Sequence, residues 1–145
     1  MSLPEAIELQ VVTPQRHVLQ ETVQAIEMPG KEGYLGILPG HAPLITELGV
    51  GILAYRKSGE TRYVTIVHGY AEVLPDRVIV LAELSERAEE IDAEKARAEH
   101  EQAQAQLLKT STGSPDWQEQ KLAVERAVVR AEAAAKWGGF ADSHK

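Results

Sequence analysis

Along the first 84 positions, apolar and polar residues alternate in short bursts. Ile7-Glu8-Leu9-Gln10-Val11-Val12 reads as a half-buried strand, stopped by Thr13-Pro14. His17 to Gln20 predicts a second strand, and Val23 to Met28 a third that ends at Pro29-Gly30. Tyr34 to Leu38 and Leu44 to Leu48 flank a Pro-Gly-His-Ala-Pro segment. Val50 to Lys57 and Thr61 to His68 are joined by Ser58-Gly59, a hairpin signal, and Gly69 breaks the second of them. Tyr70 to Leu74 and Val78 to Leu81 meet across Pro75-Asp76-Arg77. No helix-length pattern intervenes. The fold class expected is β + α: an N-terminal antiparallel β-sandwich of about ten short strands, followed by a C-terminal antiparallel α-helical hairpin.

After residue 85 the period changes. Residues 91–109 contain no Gly or Pro and are dominated by Ala, Glu, Gln and Lys. Thr110 to Pro115 is a loop. Asp116 has Glu119 three residues on, a capping-box spacing, and the second helix is expected to stop at Gly138-Gly139. The expected apolar faces are thin: Ala93, Ala96, Ala103 and Leu107 on one helix, and Val124, Val128, Ala131 and Ala135 on the other. Alanine allows close approach but buries little area, which predicts a weakly held hairpin. The expected domains are therefore residues 1–86, a sandwich, and residues 87–145, a hairpin.

Composition narrows the function. Six of the seven prolines precede residue 84, and hydrophobic residues make up 43% of the 145, so the chain is globular. A net charge of −7 disfavours nucleic acid as a partner. With no cysteine there is no disulfide frame, thiolate metal site or thiol catalysis. No secretory pattern is visible at the N-terminus, and no apolar run is long enough to span a bilayer, so membrane contact is expected only through a partner.

The densest punctuation lies in Gly30 to Leu44, with four glycines, two prolines and one histidine in fifteen residues. A phosphate-loop reading fails on context, because Gly40 is followed by His41-Ala42-Pro43 and strands rather than by Lys, Ser/Thr and a helix. His41 has no partner spacing for a triad or a metal site, and Glu27, Glu32 and Glu47 match no recognisable base. No enzyme and no catalytic residue is expected, and no metal. On the second helix Lys121, Arg126, Arg130 and Lys136 stand among alanines; they read either as a solvated face or as a salt-sensitive contact with an acidic partner.

Gly33-Tyr34-Leu35-Gly36-Ile37-Leu38-Pro39-Gly40-His41-Ala42-Pro43-Leu44 resembles the hallmark of the epsilon subunit of bacterial and chloroplast F-type ATP synthases. Val12-Thr13-Pro14, His68-Gly69-Tyr70-Ala71-Glu72-Val73 and the Ala-rich hairpin extend the resemblance over the whole chain. It implies a non-catalytic central-stalk subunit of a proton-translocating synthase, peripheral at the cytoplasmic face of the bacterial cell membrane. Its implied partners are the gamma subunit, the c-ring and the alpha/beta catalytic head. Glu32, Tyr34, Leu35, His41 and Ala42 would meet the ring and stalk, with Tyr34 where some members carry an acid. An extended hairpin would inhibit ATP hydrolysis through Lys121, Arg126 and Arg130 against the beta subunit. Some members bind ATP on the folded hairpin through Ile/Leu-Asp-x-x-Arg-Ala; here Asp92 and Ala96 match and Lys95 replaces the arginine, with Arg126 and Arg130 as further phosphate ligands. No cofactor is implied as required, and ATP enters only as a regulatory ligand. The rival reading is a free-standing β-sandwich module that binds a ligand or a protein.

Overall fold

The computed structural model describes residues 3–143, with side chains as far as residue 138. The chain divides into two units, Met1–Arg87 and Ala88–Lys145. The first holds seven strands: β1 (Ile7–Val12), β2 (His17–Val23), β3 (Ala25–Gly30), β4 (Gly33–Ile37), β5 (Leu44–Lys57), β6 (Glu60–Val73) and β7 (Arg77–Leu84). They follow one another in the order β2-β1-β7-β6-β5-β3-β4 and curl around a single core. All pairs are antiparallel except β1 with β7, which run parallel.

Seven strands replace the expected ten or so because two breaks are bends. β5 and β6 each run fourteen residues, straight through Leu48–Val50 and through His68-Gly69. His68 (φ 53°) and Gly69 (φ 145°) take left-handed backbone angles, which re-aim the strand without ending it. A β-carbon at position 69 would lie 2.0 Å from the Leu81 carbonyl oxygen, so only glycine fits. The bend also shifts the alternation. Val64 and Ile66 face the core before it, and Ala71 and Val73 after it. A one-residue change of phase looks like a strand end when read from the pattern alone.

Every strand contributes to the core. Ile7, Leu9 and Val11 of β1, Met28 of β3, Ile37 of β4, Leu53 of β5, Ile66 of β6 and Val78 of β7 are fully buried. Beyond β7 the chain is pinned back on the sheet. The Thr65 amide donates to the Glu86 carbonyl at 2.8 Å, and the Glu86 amide donates to Thr65 Oγ1 at 2.9 Å.

In the second unit a short 3-10 turn (Ala88–Glu90) leads to helix α1 (Ala93–Leu108) and helix α2 (Trp117–Ser143). Asp92 caps α1, its Oδ1 accepting from the Lys95 amide at 3.1 Å. α2 opens directly after Asp116 but does not end at Gly138-Gly139. Glycine costs a helix about 1 kcal/mol relative to alanine without forcing it to stop. The buried faces also differ from expectation. Ala96 is buried as expected, but Ala93 and Ala135 are exposed, and Ala127, Val129, Ala133 and Ala134 are buried in place of the expected second face.

Candidate functional site

The Gly30–Leu44 stretch forms the β3–β4 hairpin and the loop that leads into β5. Gly30 pairs with Gly33 across a two-residue turn, Lys31-Glu32. Gly33 sits at φ 134°, and a β-carbon on Gly30 would lie 2.6 Å from the Gly33 carbonyl oxygen. Both glycines are therefore required by this turn. Past β4 the loop is held by its backbone. The Gly40 amide donates to the Pro75 carbonyl at 2.8 Å, and the His41 amide to the Leu38 carbonyl at 3.1 Å. His41 Nδ1 lies 2.7 Å from the Ala42 carbonyl oxygen, a bond within the loop itself. The histidine thus shapes the turn, and Ala42 is exposed beside it.

The tip of the hairpin is tied to β5 at three points. The Lys31 amide donates to the Glu47 carbonyl at 2.9 Å, and the Lys31 ammonium meets Glu47 Oε2 at 2.7 Å. Tyr34 donates to neither. Its hydroxyl instead accepts from the Ile52 amide at 3.1 Å. That amide lies where the β3–β5 ladder is interrupted between Glu27 and Gly30, so tyrosine supplies the acceptor the missing ladder would have given. Gly51 makes room, since a β-carbon there would lie 2.6 Å from the Tyr34 hydroxyl and 2.7 Å from Pro29 Cβ. Leu35 packs inward against the core. Glu32 is exposed at the turn, and among the described residues it makes no hydrogen bond or ion pair.

The Lys31–Glu47 pair perturbs both partners. Its hydrogen bond, and then the charge of Glu47, hold the Lys31 ammonium above its usual range. The hydrogen bond from Lys31 holds the Glu47 carboxyl below the usual carboxylate range. Pairing Lys31 with Glu47 takes chain proximity across sixteen residues, and nothing in the local pattern signals it.

Beside the hairpin, the outer face of the sheet is mixed, with apolar Ile45, Tyr70 and Leu81 standing among the carboxylates of Glu47 and Glu72. Tyr70 pairs with Leu81 across β6 and β7 and with Glu47 across β5, and Ile45 lies on the same face two residues from Glu47. Ile45 is 72% exposed, Tyr70 56% and Leu81 56%. Three large apolar side chains thus stand open next to a loop held by backbone bonds. Read as alternating strands, these positions were simply the solvent side, so the sequence pattern did not single them out.

The hairpin residues fall apart into separate roles. Asp92 caps α1, Lys95 is exposed in the first turn and Ala96 is buried, so only Asp92 and Lys95 present polar groups there. Arg130 forms an ion pair with Glu99 of α1. Lys121 lies 5.4 Å above the Trp117 ring, a cation–π contact, and Arg126 is exposed. The two described hollows, of about 360 and 260 Å³, are both lined by sandwich residues, so neither gathers Asp92, Lys95, Arg126 and Arg130. No cluster of metal-ligating side chains occurs among the described residues, and none of their helices is long and apolar enough to cross a membrane.

Comparison with known proteins fits this arrangement. The model of the ATP synthase delta/epsilon chain β-sandwich domain matches residues 6–88. The ATP synthase epsilon chain of Solibacter usitatus is 43% identical over 134 residues, 92% of this chain and 99% of the relative. That of Koribacter versatilis is 49% identical over 109 residues, 75% of this chain and 76% of the relative. A chain in the cryo-EM structure of the Euglena gracilis mitochondrial ATP synthase (OSCP/F1/c-ring, rotational state 1) superposes with a TM-score of 0.78 at 29% identity, covering 93% of this chain and 84% of that one. Sandwich and helical pair together define the class, a stalk protein of delta/epsilon type. The chain belongs to the ATP synthase epsilon-chain family, whose members are non-catalytic subunits of the central stalk.

Proposed function

We propose that this chain turns with the central stalk of a proton-translocating F-type ATP synthase, at the cytoplasmic face of a bacterial cell membrane. It couples rotation of the c-ring to ATP synthesis and restrains ATP hydrolysis through its C-terminal helices. The observation that carries the coupling role is the open apolar face of Ile45, Tyr70 and Leu81 beside a loop fixed by backbone bonds. A rotor part must transmit torque, and a broad apolar contact next to a rigid loop does so with little slack. In this reading the apolar face packs on the gamma subunit, and Glu32, Tyr34, Leu35, His41 and Ala42 line the side toward the c-ring loops.

The restraint on hydrolysis is assigned to α2. Lys121, Arg126 and Arg130 would meet an acidic segment of the beta subunit in the catalytic head. The ion pair with Glu99 means that Arg130 must exchange one carboxylate for another. The small side chains buried on α1 and α2 support a hairpin that opens at modest cost. ATP is retained as a regulatory ligand of the hairpin through Asp92, Lys95, Ala96, Arg126 and Arg130. Calorimetric titration of the chain tests it, and no heat at millimolar ATP removes it.

Removing residues 88–145 from the assembled complex tests the division of labour. The expected result is retained assembly with faster ATP hydrolysis. Loss of assembly, or unchanged hydrolysis, overturns the assignment. Recovery of the chain from membranes with soluble partners only would favour a free-standing binding module.

A further inference from the structure

Buried polar atoms in a folded chain are almost always paired. Among the described residues two side-chain oxygens break that rule, Ser85 Oγ and Glu89 Oε2. They stand four positions apart, one on each side of the division of the chain after Arg87. The segment that carries Ser85 is firmly held. The Glu86 amide donates to Thr65 Oγ1 at 2.9 Å, and the Thr65 amide donates to the Glu86 carbonyl at 2.8 Å. Glu89 belongs to the hairpin unit, and its oxygen is the more unfavourable of the two, because a carboxyl loses more hydration on burial than a hydroxyl does.

Glu89 lies in the 3-10 turn Ala88–Glu90, and that turn packs on α2. Ala88 is fully buried in the turn, and Ile91 is nearly so just beyond it. Burial of these two apolar side chains favours the packed arrangement. Burial of the Glu89 oxygen without a donor opposes it. The two effects act on the same contact with opposite sign. Once α2 leaves the turn, water reaches the carboxyl and the opposing effect vanishes.

We propose that Glu89 is a built-in release element of the hairpin: its unpaired oxygen raises the free energy of the arrangement in which α2 lies on the turn, and departure of α2 relieves it. The inference rests on the reading of the hairpin as a movable restraint on hydrolysis and deepens it by naming a residue that sets how readily the hairpin opens. The small side chains of α1 and α2 make opening inexpensive along the whole hairpin, whereas Glu89 favours opening at one point, the turn through which the helices join the rest of the chain.

The test uses the full-length chain and two variants, Glu89→Met and Glu90→Met. Methionine fills a similar space with a flexible apolar chain. Glu90 is exposed in the same turn, so its replacement removes a carboxyl there without removing the buried oxygen. In Glu89→Met, native-state hydrogen exchange of the α2 amides should slow roughly tenfold, the order expected when one unpaired buried group is relieved. Exchange in the strands should stay as in the parent. Glu90→Met should not slow α2 exchange. In the synthase complex rebuilt with Glu89→Met, ATP hydrolysis should rise, because the hairpin opens less often. Unchanged or faster α2 exchange in Glu89→Met overturns the proposal, as does equal slowing in Glu90→Met. Slower exchange in Glu89→Met with hydrolysis at the parent rate would uphold the role of Glu89 and overturn the reading of the hairpin as the restraint.

Discussion

The sandwich and the hairpin are stabilised by different materials. In the sandwich, Leu9, Leu53, Ile66 and their neighbours are wholly buried, each worth about 1.5–3 kcal/mol of transfer free energy. Among the described residues of α1 and α2, no buried side chain is larger than valine. One unit is therefore held by volume and the other by close backbone approach with a few polar ties. The difference suits the division of labour proposed above, in which a stiff sandwich transmits rotation and a loosely packed hairpin regulates by changing its contacts at low cost.

The largest effect expected from breaking this contrast is in the sandwich core. Leu53→Ala should destabilise the chain by about 2–5 kcal/mol, read as a lower urea midpoint for the strands. A loss below 1 kcal/mol would mean that the sandwich is no better packed than the hairpin. Next comes the bend in β6. Gly69→Ala places a methyl against the Leu81 carbonyl in a left-handed backbone, and a loss of about 1–3 kcal/mol or more should appear in the same assay.

In the hairpin, Ala133→Gly at a fully buried position should cost about 1 kcal/mol. Native-state hydrogen exchange should rise across residues 93–137 and stay constant in the strands. Equal loss of protection in both units would abolish the distinction between them. Glu99→Gln removes a half-exposed ion pair and should change hairpin stability by about 0–1 kcal/mol, with a larger relative effect on ATP hydrolysis by the assembled complex.

The smallest change concerns pH. Glu47 titrates below an unpaired glutamate in the folded chain. Its pairing with Lys31 therefore stabilises above the unfolded-state pKa and is lost as pH falls through the folded one. Lys31 titrates above its usual range, so its share is complete at neutral pH and lost only as strongly alkaline pH passes the folded value. In an NMR titration, Lys31→Met should move the Glu47 midpoint upward, and an unmoved midpoint would dissolve the pair.

The elements were legible wherever local pattern and local physics agree. Ile7 to Val12 alternates and forms β1; the Gly- and Pro-free run of residues 91–109 holds α1. The errors fall where one residue changes the phase. Gly69 reads as a strand end because sequence pattern carries no information about whether the chain resumes on the same sheet. Gly138 reads as a helix stop, yet α2 continues through it. The loop of the candidate site was conspicuous, because its glycines and prolines are local demands of its turns. Its electrostatics were not. Glu47 matched no base in the sequence and is the partner of Lys31 in the fold.

By itself, the sequence determined the two-part plan, the small-residue composition of the hairpin and the location of a shaped loop at Gly30 to Leu44. Those features follow from periods and backbone restrictions that act within a few residues. Only the tertiary structure decided that Tyr34 is tied to Ile52, that Glu32 remains outward and that Ile45, Tyr70 and Leu81 share one open face. Each of these joins strands far apart in the chain, and such pairings are chosen by the packing of the whole sheet.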